Sequence, residues 1–378
     1  MNKPGGTCDV AVIGGGLVGA AIAYGLADGA RQVRMFDEGD VALRAARGNF
    51  GLIWVQGKGL GCAAYAQWTR ASARRWPEFA SRLAEESGID LAFEQRGGLH
   101  LCLSERELAA RAEKVARFAA LPAAHDAAAA LRFEMIDRNA VAQWLPGVGS
   151  DVAGASYCPE DGHVNPLRLL HALHRGFVAR GGALFIDHAV RRIAPVAQGF
   201  ALATRHGEFR ARRIVIAAGL GSATLAPQVG LSAPVRAQRG QIIALERIPP
   251  WLPLPTEALR QTDSGTVLVG DSQEDTASAD TSFGVLAAMA QRAVRAFPSL
   301  AAAKVVRAWA ALRVLSPDGL PIYQQSRTVP GAFIVSCHSG VTLAAIHALE
   351  LAPLIAAGTL GVAQRAFSAD RFDESAAA

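Results

Sequence analysis

The stretch Asp9–Leu26, DVAVIGGGLVGAAIAYGL, decides the fold. Asp9–Ile13 is a short apolar run suited to a strand, the glycines follow at once, and Leu17–Leu26 continues as a small-residue helix. Gly14-x-Gly16-x-x-Gly19 therefore sits where a strand turns into a helix. Glycine there permits the tight turn, lets the backbone approach a pyrophosphate and lets helix and strand close on each other. The helix N-terminus meanwhile offers N–H donors to the anion. A second strand, Gln32–Phe36, ends in Asp37, where a carboxylate can accept from ribose hydroxyls. Glycines alone would be a weak signal; the order strand, glycines, helix, strand and acid is the mark of a dinucleotide-binding unit.

The same segment tests a membrane reading, because residues 10–27 carry no charge over 18 positions. The β-branched start followed by a glycine turn favours a strand and then a helix. A secretory leader is not expected, since Lys3 is its only basic residue and cleavage would remove the nucleotide site. The other long apolar stretch, residues 341–363, is interrupted by His347, Glu350 and Pro353. No membrane span is expected, and the chain reads as cytoplasmic, or peripheral to the inner membrane.

At 378 residues the chain is long enough for two domains with full cores. A hydrophobic content of 51% with 19% charged residues describes an ordinary globular protein. The net charge of +5 comes from arginine, because Lys3, Lys58, Lys114 and Lys304 are the only lysines. Either a bias toward arginine and alanine accounts for it, or the surplus attracts an anionic cofactor, substrate or partner subunit. No basic run with interleaved aromatics points to nucleic acid. Cys8, Cys62, Cys102, Cys158 and Cys337 are scattered without paired spacing. They fit free thiols and provide neither an iron-sulfur cage nor a zinc site, so no metal is expected.

Arg47–Gly61, RGNFGLIWVQGKGLG, places five glycines in fifteen residues, a density suited to a backbone passing close to something flat or phosphorylated. Residues 64–87 have helical periodicity and end at Gly88, a plausible cap. Gly97–Leu103 reads as a strand, and Ser104-x-x-Glu107 opens the next helix as a capping box. An alanine-rich helical region lies around residues 123–130. Gly154–Cys158 is strand-like, Asn165-Pro166 caps a helix through Ala179, and Ala183–Ile186 is a strand. Arg213–Ala218 runs into Gly219, which suits either a second contact with the nucleotide or a buried strand ending in a turn. Pro234–Leu245, Gln261–Val269 and Lys304–Leu315 read as strands of another sheet, with a helix near Phe283–Phe297. Ser316-Pro317-Asp318-Gly319 reads as a type I turn.

The glycine turn, Asp37, the Ala217-Ala218-Gly219 turn, WAALRVLSPDGLPI at Trp309–Ile322 and CHSGVTL at Cys337–Leu343 together resemble flavoproteins of the D-amino acid oxidase superfamily, on the glycine and sarcosine oxidase side. The resemblance runs nearly end to end. RGNFGLIWVQGKGLG and SCHSGVTL resemble, more narrowly, β subunits of bacterial opine oxidases and D-hydroxyproline dehydrogenase, which work in hetero-oligomers with iron-sulfur and flavin partner subunits. The implied architecture is α/β: a Rossmann-like FAD-binding domain from residues 1–90, 145–228 and 307–378, interleaved with a substrate domain of mixed or antiparallel sheet from 91–144 and 229–306. FAD, taken as non-covalent, would be held by Gly14, Gly16, Leu17, Val18, Gly19, Asp37, Glu38, Arg47, Gly48, Asn49, Gly51, Leu52, Val190, Ala218, Gly219, Ser339, Gly340, Val341 and Thr342.

By the same resemblance Arg313 clamps the substrate carboxylate, and a planar guanidinium suits that task because it meets a carboxylate bidentately. A structural ion pair is the alternative, with Arg307 and Asp318 in the neighbourhood. His338 either takes part in the chemistry or is a helix-entry residue touching flavin or backbone. Where glycine oxidases have a tyrosine, this chain has Leu259, Arg260 and Gln261; Arg260 either meets a second carboxylate or is simply solvated. Three functions follow as expectations. The first is an FAD-dependent dehydrogenase acting on the C–N bond of a secondary amino acid such as a D-hydroxyproline, a proline or an opine, with electrons passed to a partner. The second is a self-sufficient glycine or sarcosine oxidase making hydrogen peroxide, and the third a non-catalytic FAD-binding subunit.

Overall fold

Thr7–Ile13 forms strand β1, and Val10–Ile13 are all buried because both faces of its sheet are covered. β1 lies parallel between Val33–Phe36 (β2) and Gly207–Ile216, with Val12 opposite both Met35 and Val215. Ala183–Phe185 continues the sheet beyond β2; Ala332–Ser336 and then Ile322–Gln325 continue it on the other side. Arg192–Val196 and Gly199–Thr204 add an antiparallel ribbon, for eight strands in all. The computed structural model describes residues 6–39, 44–120, 133–270 and 272–375. The alanine-rich region around residues 123–130 lies outside them.

Helix α1 (Leu17–Leu26) covers one face of this sheet, together with the helix Pro166–Ala179 and the C-terminal run that begins at Ala344. Its small residues allow the approach: a Cβ on Gly25 would lie 2.1 Å from the Ala348 carbonyl oxygen. A second apolar cluster, with Phe36, Phe200, Phe209, Leu225 and Ile334, covers the other face. The parallel strands therefore present their carboxyl ends, flanked by helix starts, as a crevice.

Antiparallel pairing builds the remainder. Gly98–Cys102, Gly154–Cys158 and Glu134–Asp137 form a three-stranded sheet. Leu259–Gln261, Thr266–Val269, Arg236–Arg247 and Val305–Leu315 form a four-stranded one. Its two long strands pair from Arg236 opposite Leu315 to Leu245 opposite Val305. Leu99, Ile136, Ile243, Val267 and Phe297 belong to one core between these sheets and the helix Phe283–Ala296. The run Gln261–Val269, expected as one strand, is the turn and second strand of a hairpin. Gly265 at φ +86° donates to the Thr262 carbonyl at 2.9 Å, because Asp-Ser-Gly cannot continue a ladder. The capping box is present in shifted form: Ser104 Oγ accepts from Glu107 N, while Glu107 Oε2 accepts from Leu103 N rather than Ser104 N. Among the described residues no helix is long and apolar enough to cross a membrane.

Helix α2 (Ala63–Ser87) ends at Gly88 in the left-handed conformation, as its glycine suggests, and it clasps the distant turn at Thr342. Ser72 Oγ at 2.7 Å and Trp76 Nε1 at 3.0 Å both donate to the Thr342 carbonyl, while Thr342 Oγ1 accepts from Trp54 N. Trp76 is fully buried, stacked on Phe93 and edge-on to Phe79. Trp76→Ala is expected to cost about 3–5 kcal/mol, measured by urea unfolding, and to loosen cofactor retention, because the same side chain holds the 342 turn.

Candidate active site

Two adjoining cavities lie at the carboxyl ends of the parallel strands. The larger, about 710 Å³, is lined by Gly14, Gly15, Gly16, Leu17 and Val18, by Asp37 and Glu38 after β2, and by Arg47, Asn49, Val190, Ala218, Gly219 and Gly340. Gly14 has φ +107°, and a Cβ there would lie 2.3 Å from the Ala217 carbonyl oxygen, so only glycine lets the two chain crossings sit side by side. The first turn of α1 has neither a side-chain cap nor an acidic residue. Among the described residues its N–H groups thus have no side-chain acceptor at the edge of a cavity, an arrangement that suits a pyrophosphate. Asp37 Oδ2 accepts from Gly15 N at 2.8 Å and Oδ1 from Gly39 N at 2.9 Å, which fixes that carboxylate at the cavity wall. Glu38 pairs with Arg44. His174 Nε2–H donates to the Gly15 carbonyl at 2.7 Å and braces the turn from behind. The residues present fit a dinucleotide.

The second cavity, about 470 Å³, shares Ala45, Asn49, Val314, Cys337 and His338 with the first. Gly48, Leu52, Ser339, Val341 and Thr342 line it too, so the cofactor residues expected from the sequence divide between the two spaces. Arg313 enters from the Val305–Leu315 strand, opposite Gln238. Its Nη1 donates to the Ser272 carbonyl at 2.7 Å and to the Arg239 carbonyl at 3.2 Å. Of the charged neighbours, Asp318 is held by Arg371 at 2.7 Å, and Arg307 lies over the Trp309 ring.

His338 stands between Lys58 and Ser339. Its Nε2 is 3.2 Å from Lys58 Nζ and its Nδ1 3.2 Å from Ser339 Oγ, which is itself 2.8 Å from the Tyr65 hydroxyl. An ammonium only donates, so Nε2 accepts and Nδ1 carries the hydrogen. The Lys58 cation first, then burial, then Arg313 hold the imidazole well below the ordinary histidine range, so it is neutral at neutral pH. Burial, with Arg111, Arg292 and Lys114 nearby, likewise pushes His100 down to about 3. Burial also pushes the Cys337 thiol up to about 12, so it stays protonated.

Three expected residues line neither cavity. Gly19 is a packing residue: a Cβ would fall 1.9 Å from the Gly14 carbonyl oxygen. Gly51 has φ +94°, with the Val164 carbonyl 2.4 Å from where a Cβ would be. Arg260 is 3% exposed and donates through Nε to the Phe50 carbonyl at 2.8 Å. It is not solvated and lines neither cavity; it braces the backbone that leads into Gly51. Sequence reasoning missed Lys58, Gln56, His100, Arg111, Lys114 and Glu257 as lining residues. Lys58 carried a signal, being one of four lysines and lying within the glycine-rich stretch. Arg111 and Lys114 read only as charges on a polar helix.

Residues 9–354 match the DAO family of FAD-dependent oxidoreductases. An opine oxidase subunit from Rhizobium meliloti is 44% identical over 366 residues, 97% of this chain and 98% of that protein. Its counterpart in the opine oxidase of Agrobacterium tumefaciens strain Ach5 is 45% identical over 365 residues, covering 96% and 97%. The crystal structure of glycine oxidase from Geobacillus kaustophilus superposes with a TM-score of 0.85 at 25% identity, over 96% of this chain and 98% of that one. With a match that runs from β1 through the residues of both cavities, this chain belongs to the DAO family of oxidoreductases and uses FAD.

Proposed function

We propose that the protein is a dehydrogenase for the C–N bond of a secondary amino acid, of D-hydroxyproline, proline or opine type, with FAD held non-covalently and electrons passed to a partner subunit. Arg313 carries the reading: its guanidinium, oriented by the Ser272 and Arg239 carbonyls, lines a cavity that shares Asn49, Val314, Cys337 and His338 with the nucleotide cavity. A carboxylate bound bidentately there turns the carbon next to nitrogen toward the shared wall. FAD bound in the neighbouring cavity would supply the hydride acceptor. The protein's own contribution is orientation and protonation state. Lys58 beside the neutral His338 makes the site costly for a second cation, which favours the uncharged amine with its lone pair available. Both opine oxidase relatives are by name single subunits of an assembly, which supports a partner. A protonated Cys337 supports a flavin without a thioether link.

Gly240 is a positioning residue in this scheme. It faces Ala311 across the strand pair, and a Cβ on it would lie 2.6 Å from Arg313 Cζ, so the guanidinium rests on bare backbone.

The deciding experiment is anaerobic addition of D-hydroxyproline, proline, sarcosine, glycine and octopine-type opines to the flavin-loaded protein. Bleaching of the visible flavin band by a secondary amine with little oxygen uptake is expected. Brisk peroxide formation would indicate a self-sufficient oxidase, and a flavin that no amine reduces would indicate a binding subunit. Arg313→Met should slow flavin reduction at low substrate by at least about 100-fold, or about 3 kcal/mol. Gly240→Val should raise the substrate dissociation constant while leaving FAD content intact, measured by stopped-flow reduction and by flavin absorbance. In Lys58→Met the His338 ring loses the cation that opposes its protonation, so it should titrate at higher pH than in the wild type, read by NMR.

A further inference from the structure

We infer that His174 belongs to the anion site of the nucleotide cavity and takes up a proton from solvent when the cofactor binds. This role belongs to the FAD end of the site and is independent of the substrate proposed above. His174 lies on the helix Pro166–Ala179 and lines the larger cavity with Gly14, Gly15, Gly16 and Asp37. Its Nε2 lies 2.7 Å from the Gly15 carbonyl oxygen, an atom that only accepts, so Nε2 carries a hydrogen. Nδ1 is then the atom at which the ring gains or loses its second proton. Gly15 N donates in turn to Asp37 Oδ2 at 2.8 Å. Imidazole, glycine and carboxylate thus form one chain across the turn that leads into α1.

Few charges face this ring. Asp37, just beyond β2, favours its charged form, while His171 on the same helix and Arg47 of the glycine-rich stretch oppose it. The helix packs against α1, α2 and the strand Ala183–Phe185, and neither α1 nor that strand carries a charged residue. Glu86 of α2 meets the far end of the helix, where Arg180 holds it at 2.7 Å and Arg82 at 3.1 Å. The Asp37 charge is itself shared between two backbone donors, Gly15 N and Gly39 N. Burial is the largest influence and holds the imidazole below the ordinary histidine range, so in the protein without cofactor the ring is neutral at neutral pH.

A pyrophosphate brings two negative charges to this cavity and does not itself titrate near neutral pH. An anion beside an imidazole favours the imidazolium, and the burial that disfavours a lone charge strengthens the attraction between opposite ones. Protonation adds a hydrogen at Nδ1 and leaves Nε2–H on the Gly15 carbonyl, so the turn keeps its shape in both states. The cofactor-loaded protein then holds more protons than the free protein. Its affinity for FAD therefore rises as the pH falls through the His174 pKa of the loaded form, and levels off below the lower pKa of the free form. A residue that only braced the turn would behave differently, because a neutral amide also donates to a carbonyl and takes up no proton.

The test follows binding of FAD to the FAD-free full chain by calorimetry, in buffers of different ionisation enthalpy, and by flavin fluorescence across about pH 6 to 8. The wild type should take up about 0.3 proton or more near neutral pH, and should bind FAD about threefold or more tightly at the acid end of the range than at the alkaline end. His174→Gln, which keeps an N–H donor for Gly15, should bind FAD with proton uptake near zero and a dissociation constant that stays within about 1.5-fold over the same range. His174→Asn is a second neutral variant, and melting temperature verifies folding. If both are unstable, NMR titration of the wild-type histidines carries the test: one imidazole should titrate at higher pH once FAD is added. His188→Gln is the control for another imidazole near the carboxylate, since the His188 N–H donates to the Asp37 carbonyl at 2.7 Å. A wild type that takes up no proton, or in which no imidazole moves, overturns the assignment. So does a pH dependence that survives in the folded His174 variants, or one that disappears in His188→Gln alone.

Discussion

Everything in this structure depends on how closely three pieces of backbone meet at the carboxyl end of β1. Gly14, Gly19 and the Ala217–Gly219 turn converge so tightly that a Cβ on either glycine would fall well inside contact distance of a carbonyl oxygen. Gly25 repeats the condition further along α1, against Ala348. These approaches bring the N-terminus of α1 to the end of the strand. They also set the C-terminal helical run beside α1, so residues 337–342, which precede that run, reach the same crevice. A larger residue at any of the three would open the turn, shift the helix and separate the walls of the nucleotide cavity.

The two cavities form one site because their shared wall is clamped from behind. Thr342 accepts through its carbonyl from Ser72 and Trp76 of α2 and through its hydroxyl from Trp54 N, so one residue ties a long helix, the glycine-rich stretch and the 337–342 turn together. Arg260 acts in the same way from the four-stranded sheet, pinning the Phe50 carbonyl. The glycine-rich stretch is thus held by both halves of the molecule while it lines both spaces. It contributes Asn49 to the common wall and Lys58 to the second cavity.

Electrostatics then separates the tasks of the two spaces. The nucleotide cavity meets its ligand with uncapped backbone N–H groups and a carboxylate fixed by backbone donors. The second cavity is lined by Lys58, Arg111, Lys114 and Arg313 together with Glu257, and its two histidines are kept neutral by burial and by nearby cations. Neutral imidazole beside fixed positive charge is a poor environment for an ammonium and a good one for a carboxylate and an uncharged amine. On the proposed function, selection falls on the ionic form of the substrate as well as on its shape.

The sequence by itself determined the local elements: β1, α1, β2, the Gly88 stop, the Asn165 cap and the Ser316–Gly319 turn are where periodicity and turn chemistry put them. The glycine signature was legible because the constraint is local, a backbone that must be bare. The end-to-end resemblance singled out Arg313 and His338, and both line the second cavity. Only the tertiary structure decided which charges face that cavity. Arg260 and Arg111 look alike as letters in the chain, yet the fold turns one against a backbone carbonyl and the other to the wall of a cavity. Arg111 and Lys114 on a polar helix, Glu257 before a short strand and Lys58 in a loop are far apart in the chain. Their meeting is fixed by sheet pairing and helix packing, which depend on the shape of the whole core and leave no mark within any one segment.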